Sequence, residues 1–330
     1  MKAVVITQPG GPEVLEISDV PDPAPPETGQ VLVRVRASAL NRADILQRRG
    51  LYPAPAGFPP DIPGMEFAGE VSKVGANVTT LKRGDRVFGI TGGGAQAEYV
   101  LTPANHLAKI PANLEWPRAA AVPEVFITAH DALFTQADLR NGETLMVHAA
   151  GSGVGTAAIQ LAVEAGAKVF GTSRSFEKLV RASDYGLSGG IVVKDDPSVV
   201  VESVMNSTNG HGADVILDLV GAHYLEANLK SLAVKGRMML VGTTSGNQAT
   251  LDFSLVLSKR LTLRGTVLRA RSSEEKAAAT QAFARDVVPL LADGKVKPVI
   301  DRIYHLSEVR DAHRRMESNE NFGKIVLLID

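Results

Sequence analysis

The chain reads as an α/β protein of two lobes, one β-rich and one built on a doubly wound parallel sheet of six strands. Three observations carry that reading. From about residue 125 to 264, short apolar runs alternate with helical runs, the pattern of parallel strands joined by crossover helices. Within that region His148-Ala149-Ala150-Gly151-Ser152-Gly153-Val154-Gly155 stands where an apolar run, Thr144 to Val147, gives way to helical spacing from Val154 to Ala162. Residues 1 to about 110, by contrast, read as short strands punctuated by Gly and Pro turns.

In the first lobe, Lys2 to Ile6 and Val14 to Val20 flank Pro9-Gly10-Gly11-Pro12, a hairpin signal. Val31-Leu32-Val33-Arg34-Val35-Arg36 alternates, with three valines on one face and two arginines on the other, as a half-buried antiparallel strand requires. The six strands of the second lobe are expected at Thr144 to His148, Lys168 to Thr172, Ile191 to Val193, Asp214 to Leu219, Arg237 to Val241 and Leu261 to Gly265. Beyond about 266 the sequence predicts a long helix from Ser273 to Ala292, a strand near Ile300 to Tyr304, a short helix near Glu308 to Glu317 and a strand from Lys324 to Ile329. That apolar terminal strand needs a sheet to pair with, so the segment is expected to rejoin the first lobe.

At 330 residues, two domains are the natural expectation. The 35 Lys and Arg nearly cancel the 36 Asp and Glu, with no basic cluster, which argues for small-molecule partners over nucleic acid or membrane surfaces. There is no cysteine, which excludes a disulfide framework, a thiol nucleophile and a zinc site built on thiolates. Met1 to Ile6 is too short for a signal sequence and no apolar stretch is long enough to span a membrane, so a cytoplasmic protein is expected.

The turn at Gly151-Ser152-Gly153-Val154-Gly155 has the chemistry of a phosphate cradle. A helix N-terminus presents unpaired N–H groups and partial positive charge, and small residues let a pyrophosphate approach the backbone. Its spacing is G-x-G-x-G, not the strict G-x-G-x-x-G, so the alternative is an ordinary tight strand-to-helix turn. Sheets that prefer NAD carry an acidic residue at the end of the second strand for the ribose 2′-hydroxyl. Here that end reads Gly171-Thr172-Ser173-Arg174-Ser175, without a carboxylate and with Lys178 one helical turn past Arg174. A guanidinium binds a 2′-phosphate as a fork, so NADPH is the expected cofactor. The alternative makes Ser175 a helix cap and Arg174 and Lys178 a solvated face.

Several longer motifs then stand in order: Ser38-Ala39-Leu40-Asn41-Arg42-Ala43-Asp44, Pro63-Gly64-Met65-Glu66-Phe67-Ala68-Gly69, Gly84-Asp85-Arg86-Val87, and His148 to Gln160. In these the chain resembles, over nearly its whole length, the zinc-free, zeta-crystallin-like quinone oxidoreductases of the medium-chain dehydrogenase/reductase superfamily, and in Asn41 to Gly50, Gly92 to Val100 and Gly151 to Leu161 it looks most like their tumour-suppressor-inducible branch. The resemblance implies a GroES-like catalytic domain (1–124, rejoined by 265–330) and a Rossmann NADP-binding domain (125–264), with NADPH in the cleft and hydride transfer to a quinone-like acceptor. It implies Tyr52 beside the nicotinamide, with Asn41 and Asp44 around the same pocket as the catalytic set. Cofactor contacts implied by position are Tyr52, Thr128, Ser152, Gly153, Val154, Gly155, Gly242, Thr243, Thr266, Val267 and Leu268, then Asn321, Gly323 and Lys324, in addition to Ser173, Arg174 and Lys178.

Zinc-dependent relatives place Cys and His ligands where this chain has Asn41 and Met65, so no metal is expected. Glu66 is left over from that pattern and reads either as catalytic or as a buried carboxylate paired with a base. Tyr52 lies just before a Pro-rich stretch and reads either as a hydrogen-bond donor to the acceptor or as packing for its loop. The third strand ends in Val193-Lys194 where many relatives carry Tyr or His, which leaves 2′-phosphate recognition to Arg174 and Lys178. In the usual strand order Leu261 to Arg264 lies on a sheet edge, so a two-fold homodimer is expected. An enoyl-thioester or enone reductase shares the fold and is the competing activity; a crystallin-like or RNA-binding role is a third.

Overall fold

The computed structural model describes residues 1–329. The chain divides into two compact units, one combining Met1–Ile127 with the segment from Leu268 onward, the other Thr128–Val267.

The first unit opens on β1 (Lys2–Ile6) and β2 (Leu15–Asp19), an antiparallel pair turned through a short 3₁₀ stretch at Pro12–Val14. β3 (Gln30–Ala39) is followed by α1 (Arg42–Arg48), β4 (Glu66–Val74), β5 (Arg86–Ile90), β6 (Tyr99–Pro103) and β7 (Leu107–Lys109). Two short helices come next, α2 (Trp116–Ala120) and α3 (Pro123–His130). Val31, Val33 and Val35 of β3 enter the core with Phe67, Val71 and Val87, while Arg34 stays exposed, as the alternation predicts.

The second unit is β8 (Thr144–Val147), α4 (Gly153–Glu164), β9 (Lys168–Ser173), α5 (Phe176–Ser183), β10 (Gly189–Val192), α6 (Val199–Ser207), β11 (Ala213–Asp218), α7 (Leu225–Ser231), β12 (Leu232–Leu240), α8 (Phe253–Lys259) and β13 (Thr262–Gly265). All six strands pair in parallel in the order β10-β9-β8-β11-β12-β13, the doubly wound arrangement with its switch point between β8 and β11. The strands fall where the sequence places them, with two shifts. β12 starts at Leu232, five residues before the expected Arg237, and β10 starts at Gly189 because glycines, which lack a side chain to signal a strand, extend it. β13 pairs only with β12 and forms an edge.

The chain then returns to the first unit through α9 (Ser273–Asp286), α10 (Val288–Ala292), β14 (Ile300–His305), α11 (Val309–Glu317) and β15 (Lys324–Leu328). The single helix expected over Ser273 to Ala292 is two helices. Pro289 has no N–H to continue the ladder and its ring opposes the carbonyl four residues back, so the helix breaks at Val287. β15 lies between β14, parallel, and β3, antiparallel, completing a sheet of order β14-β15-β3-β4-β5-β7 with β6 also on β3. The terminal strand thus finds its sheet in the first lobe, as its apolar pattern demands.

Candidate active site

In the second unit the small-residue turn sits at the carboxyl end of β8. Ala149 adopts a left-handed φ of 52°, which brings the chain round, and Ser152 caps α4 by accepting from the Gly155 N–H at 3.0 Å. A Cβ on Gly155 would stand 2.6 Å from the Ala149 carbonyl oxygen, so only glycine permits this helix start. Gly153 and Val154 supply the first-turn N–H groups that an α-helix leaves without internal partners. Below the turn, the fully buried His148 ring bonds the Thr172 hydroxyl at 2.9 Å and the Asn228 Oδ1 at 2.6 Å, and Asn228 donates to Asp218 at 3.0 Å. Burial pushes this imidazole below its usual pKa, so it ties β8, β9 and β11 together as a neutral strut.

The neighbouring loops are built as tightly. Ser173 accepts from the Ser175 N–H at 3.1 Å, and Ser175 accepts from the Lys178 N–H at 3.3 Å, so Ser175 does cap α5. Arg174 is exposed at the same strand end, and Tyr224, 4.5 Å from the His148 ring, is near enough to feel its charge. A Cβ on Gly242 would fall 2.9 Å from the Leu219 oxygen, and one on Gly221 would fall 2.8 Å from the Thr243 Cα, so the loops after β11 and β12 touch. Thr266 donates its N–H to Leu240 at 2.9 Å and its hydroxyl receives Gln136 at 2.8 Å. Val267 is half exposed and Thr128 is buried on α3. Val193 is a core residue, its N–H bonded to the Ser173 oxygen at 2.9 Å.

The first unit holds a second cluster, made of charged side chains. Asn41 caps α1, and its N–H and that of Gly64 each bond one oxygen of Asp44, at 2.7 and 3.0 Å. Asn41 also donates to Glu66 at 2.8 Å. The Lys324 ammonium reaches Glu66 at 2.6 Å, the Asn41 Oδ1 at 2.7 Å and the Leu40 oxygen at 2.6 Å. The other Glu66 oxygen accepts from the Glu124 N–H at 2.9 Å. Part of Glu124 remains at the surface, yet its carboxyl is enclosed by protein, and burial together with the nearby Glu66 raises its pKa to about 8. Asp44 has no exposed surface; burial raises its carboxyl to about 6 against the lowering effect of its two backbone bonds.

Tyr52 lies at the rim of this cluster, half buried, with the Arg269 guanidinium 5.0 Å from its ring centroid. Burial raises the phenol's pKa while Arg269 opposes that. Arg269 is itself buried, and its donors go to the oxygens of Gly92 at 2.8 Å and Tyr52 at 3.2 Å and to Gln47.

The fold therefore gathers Asn41, Asp44, Tyr52 and Lys324 in one unit, and Ser152 to Gly155, Ser173, Arg174, Lys178, Gly242 and Thr243 at the strand ends of the other. Three of the expected residues have protein partners that define what they hold. Asp44, expected in the pocket, is fully buried and spends both oxygens on backbone N–H groups, so it holds α1 and the Gly64 turn in place. Lys324, expected at the cofactor, has three donors and three protein partners, so it positions Asn41 and Glu66. Asn321 turns inward to the Gly323 oxygen at 2.9 Å. Glu66 is the paired carboxylate of the two readings offered for it.

Arg269, Glu124 and Lys276 were not anticipated. One signal was present: Lys276, Ala279, Thr280 and Phe283 are all buried at helical spacing on α9, so a lysine stands in a core stripe.

Comparison with known proteins agrees with this architecture. A family model described as an alcohol dehydrogenase GroES-like domain matches residues 27–112, and one described as a zinc-binding dehydrogenase matches residues 191–327. The quinone oxidoreductase of Pseudomonas aeruginosa is 35% identical over 320 residues, covering 97% of each chain. The structure of the Pseudomonas syringae pv. Tomato quinone oxidoreductase superposes with a TM-score of 0.88 at 32% identity, covering 99% of each chain. A mycobacterial protein solved in complex with NADPH superposes with a TM-score of 0.87 at 29% identity, covering 100% of both. With full-length relatives at this level, the chain belongs to the quinone oxidoreductases of the medium-chain dehydrogenase/reductase superfamily, pyridine-nucleotide-dependent oxidoreductases.

Proposed function

We propose that this protein is an NADPH-dependent, metal-independent quinone oxidoreductase that transfers hydride from nicotinamide to a quinone or similar conjugated carbonyl. The observation that carries the reading is the Glu66–Lys324 pair. A zinc ion in this family's fold would need a thiolate or imidazole set, and the side chains at the corresponding positions are Asn41 and Met65. Glu66, the one anionic donor there, already has an ammonium at 2.6 Å. Among the described residues no group of three His, Asp or Glu is arranged to hold a metal. A simple carbonyl needs a strong acid partner, metal ion or proton donor, for the localised alkoxide that hydride addition creates; an extended quinone relies on one less, because its reduced oxyanion is delocalised.

NADPH, when bound, supplies the hydride. The first-turn N–H groups at Gly153 and Val154 suit the pyrophosphate, with Ser152 and Gly155 shaping the turn. Ser173, Arg174 and Lys178 suit the 2′-phosphate, and Gly242, Thr243, Thr266, Val267 and Leu268 the nicotinamide end, with Thr128 a further contact that the family resemblance implies. The Tyr52 phenol is protonated at neutral pH like any tyrosine, and burial pushes its pKa further up, so it can donate a hydrogen bond to the oxyanion that develops as the acceptor takes up hydride. Asn41, fixed by Glu66 and Lys324, keeps the adjoining wall in one geometry. Solvent supplies the proton that completes the hydroquinone.

The exposed edge β13, with the exposed Phe253 and Leu257 on the helix before it, supports a two-fold homodimer that continues the sheet, to be checked by light scattering. The activity test is a steady-state panel of NADPH and NADH against 1,4-quinones, enones and enoyl thioesters, with and without chelator. The expected result is rapid NADPH oxidation by 1,4-quinones that chelator leaves unchanged. Silent quinones with rapid crotonyl-thioester turnover would establish the enoyl reductase instead.

A further inference from the structure

We infer that the site in the first unit takes aromatic acceptors bearing an acidic group, such as a carboxylate, and that the Lys276 ammonium receives that group. The inference builds on the oxidoreductase reading, since it names the class of acceptor that would be reduced.

Lys276 stands one turn into α9, whose start is fixed by a reciprocal capping box between Ser272 and Glu275. The residue is only 5% exposed and shares its helix face with Ala279, Thr280 and Phe283. Its ammonium lies 5.3 Å from the Phe58 ring centroid and makes no hydrogen bond or ion pair among the described residues. Among the described residues no protein group accepts from its three N–H donors; the ring is its one protein partner, and the ammonium nitrogen itself keeps contact with solvent.

The other cations of the cluster are differently placed. Lys324 has spent its three donors, and Arg269 bonds Gly92, Tyr52 and Gln47 with three of its five. Lys276 is thus the cation here that bonds no protein acceptor. Phe58 connects it to the rest, because it packs so closely on Gly92 that a Cβ there would lie 2.5 Å from the ring, and the Gly92 oxygen is the acceptor for Arg269. Lys276, Phe58, Arg269 and Tyr52 form one continuous wall of alternating cation and ring.

The charges of the surrounding groups leave that wall positive. Lys324 offsets Glu66, and burial together with Glu66 raises the Glu124 carboxyl to about 8, which weakens the negative charge that would otherwise face Lys276. Asp44 offsets one of the two remaining cations. A flat conjugated ring with an anionic substituent meets both requirements: ring against ring, anion against the uncommitted ammonium.

The test is calorimetric titration with 2-naphthoate, an aromatic carboxylate that cannot be reduced, and with the neutral 2-naphthamide. We expect the wild-type protein to bind the acid at least tenfold more tightly than the amide. Lys276→Met should abolish that preference and Lys276→Arg should keep most of it. Equal affinities in the wild-type protein would overturn the inference without any variant, as would a preference that survives in Lys276→Met. This readout needs no turnover, so its failure is separate from failure of the quinone reading, which would show as no NADPH oxidation by neutral 1,4-quinones.

Discussion

The turn at residues 151–155 and the cluster around Asn41 are both built to hold something at a fixed place, and they are built from different materials. The turn uses backbone: N–H groups, small residues and a capping serine within one strand-to-helix step. The cluster uses six ionisable side chains, Asp44, Glu66, Glu124, Arg269, Lys276 and Lys324, with the Asn41 amide among them, residues separated by up to most of the chain. The backbone site depends on space and fails sterically. The side-chain site depends on balance of charge, and it fails when one member is removed.

That difference can be broken apart by mutation, and the largest effect is expected in the charged cluster. Lys324→Met strands the fully buried Glu66 carboxylate and should cost about 3–5 kcal/mol of stability. Thermal denaturation should show most of it restored in the Lys324→Met/Glu66→Gln double variant; no recovery would mean that shape, not charge, governs this cluster. The turn should respond the other way. Gly155→Val places atoms within 2.8 Å of two carbonyl oxygens and should weaken NADPH binding by roughly 100-fold or more, about 2.7 kcal/mol. No charge change elsewhere should rescue it in a fluorescence titration.

A pH series sharpens the contrast. Glu124 binds its proton more tightly folded than unfolded, since burial and Glu66 raise its pKa from 4.5 to about 8. Its contribution to stability therefore falls as pH rises between those values and is level above them. Glu124→Gln does not titrate, so the melting temperature of wild type relative to this variant should drop by roughly 5 °C from pH 5 to pH 8. A constant difference would show that the carboxyl is ionised throughout. The smallest effect is expected at exposed Arg174, where Arg174→Ala should raise the NADPH dissociation constant about tenfold, some 1.4 kcal/mol, and leave that for NADH within twofold. Equal losses would detach Arg174 from the 2′-phosphate.

The same contrast explains how much the sequence disclosed. The turn, its flanking strand and helix, and the six parallel strands are local patterns, and apart from the starts of β10 and β12 they lie where periodicity and small residues put them. The second cluster has no local pattern. Asn41, Asp44 and Tyr52 came from resemblance to a family, and even then the part each plays depended on partners the sequence cannot pair: Asp44 on the Gly64 N–H, Lys324 on Glu66. Arg269 reads as an ordinary arginine after a strand until its acceptors at Gly92 and Tyr52 are known. Lys276 is the instructive miss, because a cation in a core stripe is visible in the spacing before any coordinates. The broken helix at Pro289 was equally legible and needed only stricter use of proline's missing donor.

Lys324 also sets a timetable for assembly. Glu66 emerges during synthesis long before the residue that neutralises it, and the whole of Thr128–Val267 is made in between. At about 5–20 residues per second that interval is on the order of tens of seconds, during which β3 lacks its β15 neighbour and the Glu66 carboxylate lacks its counter-ion. The first unit begun is thus the last one able to finish, and the nascent chain must keep an open sheet edge from pairing elsewhere until Lys324 arrives to close it.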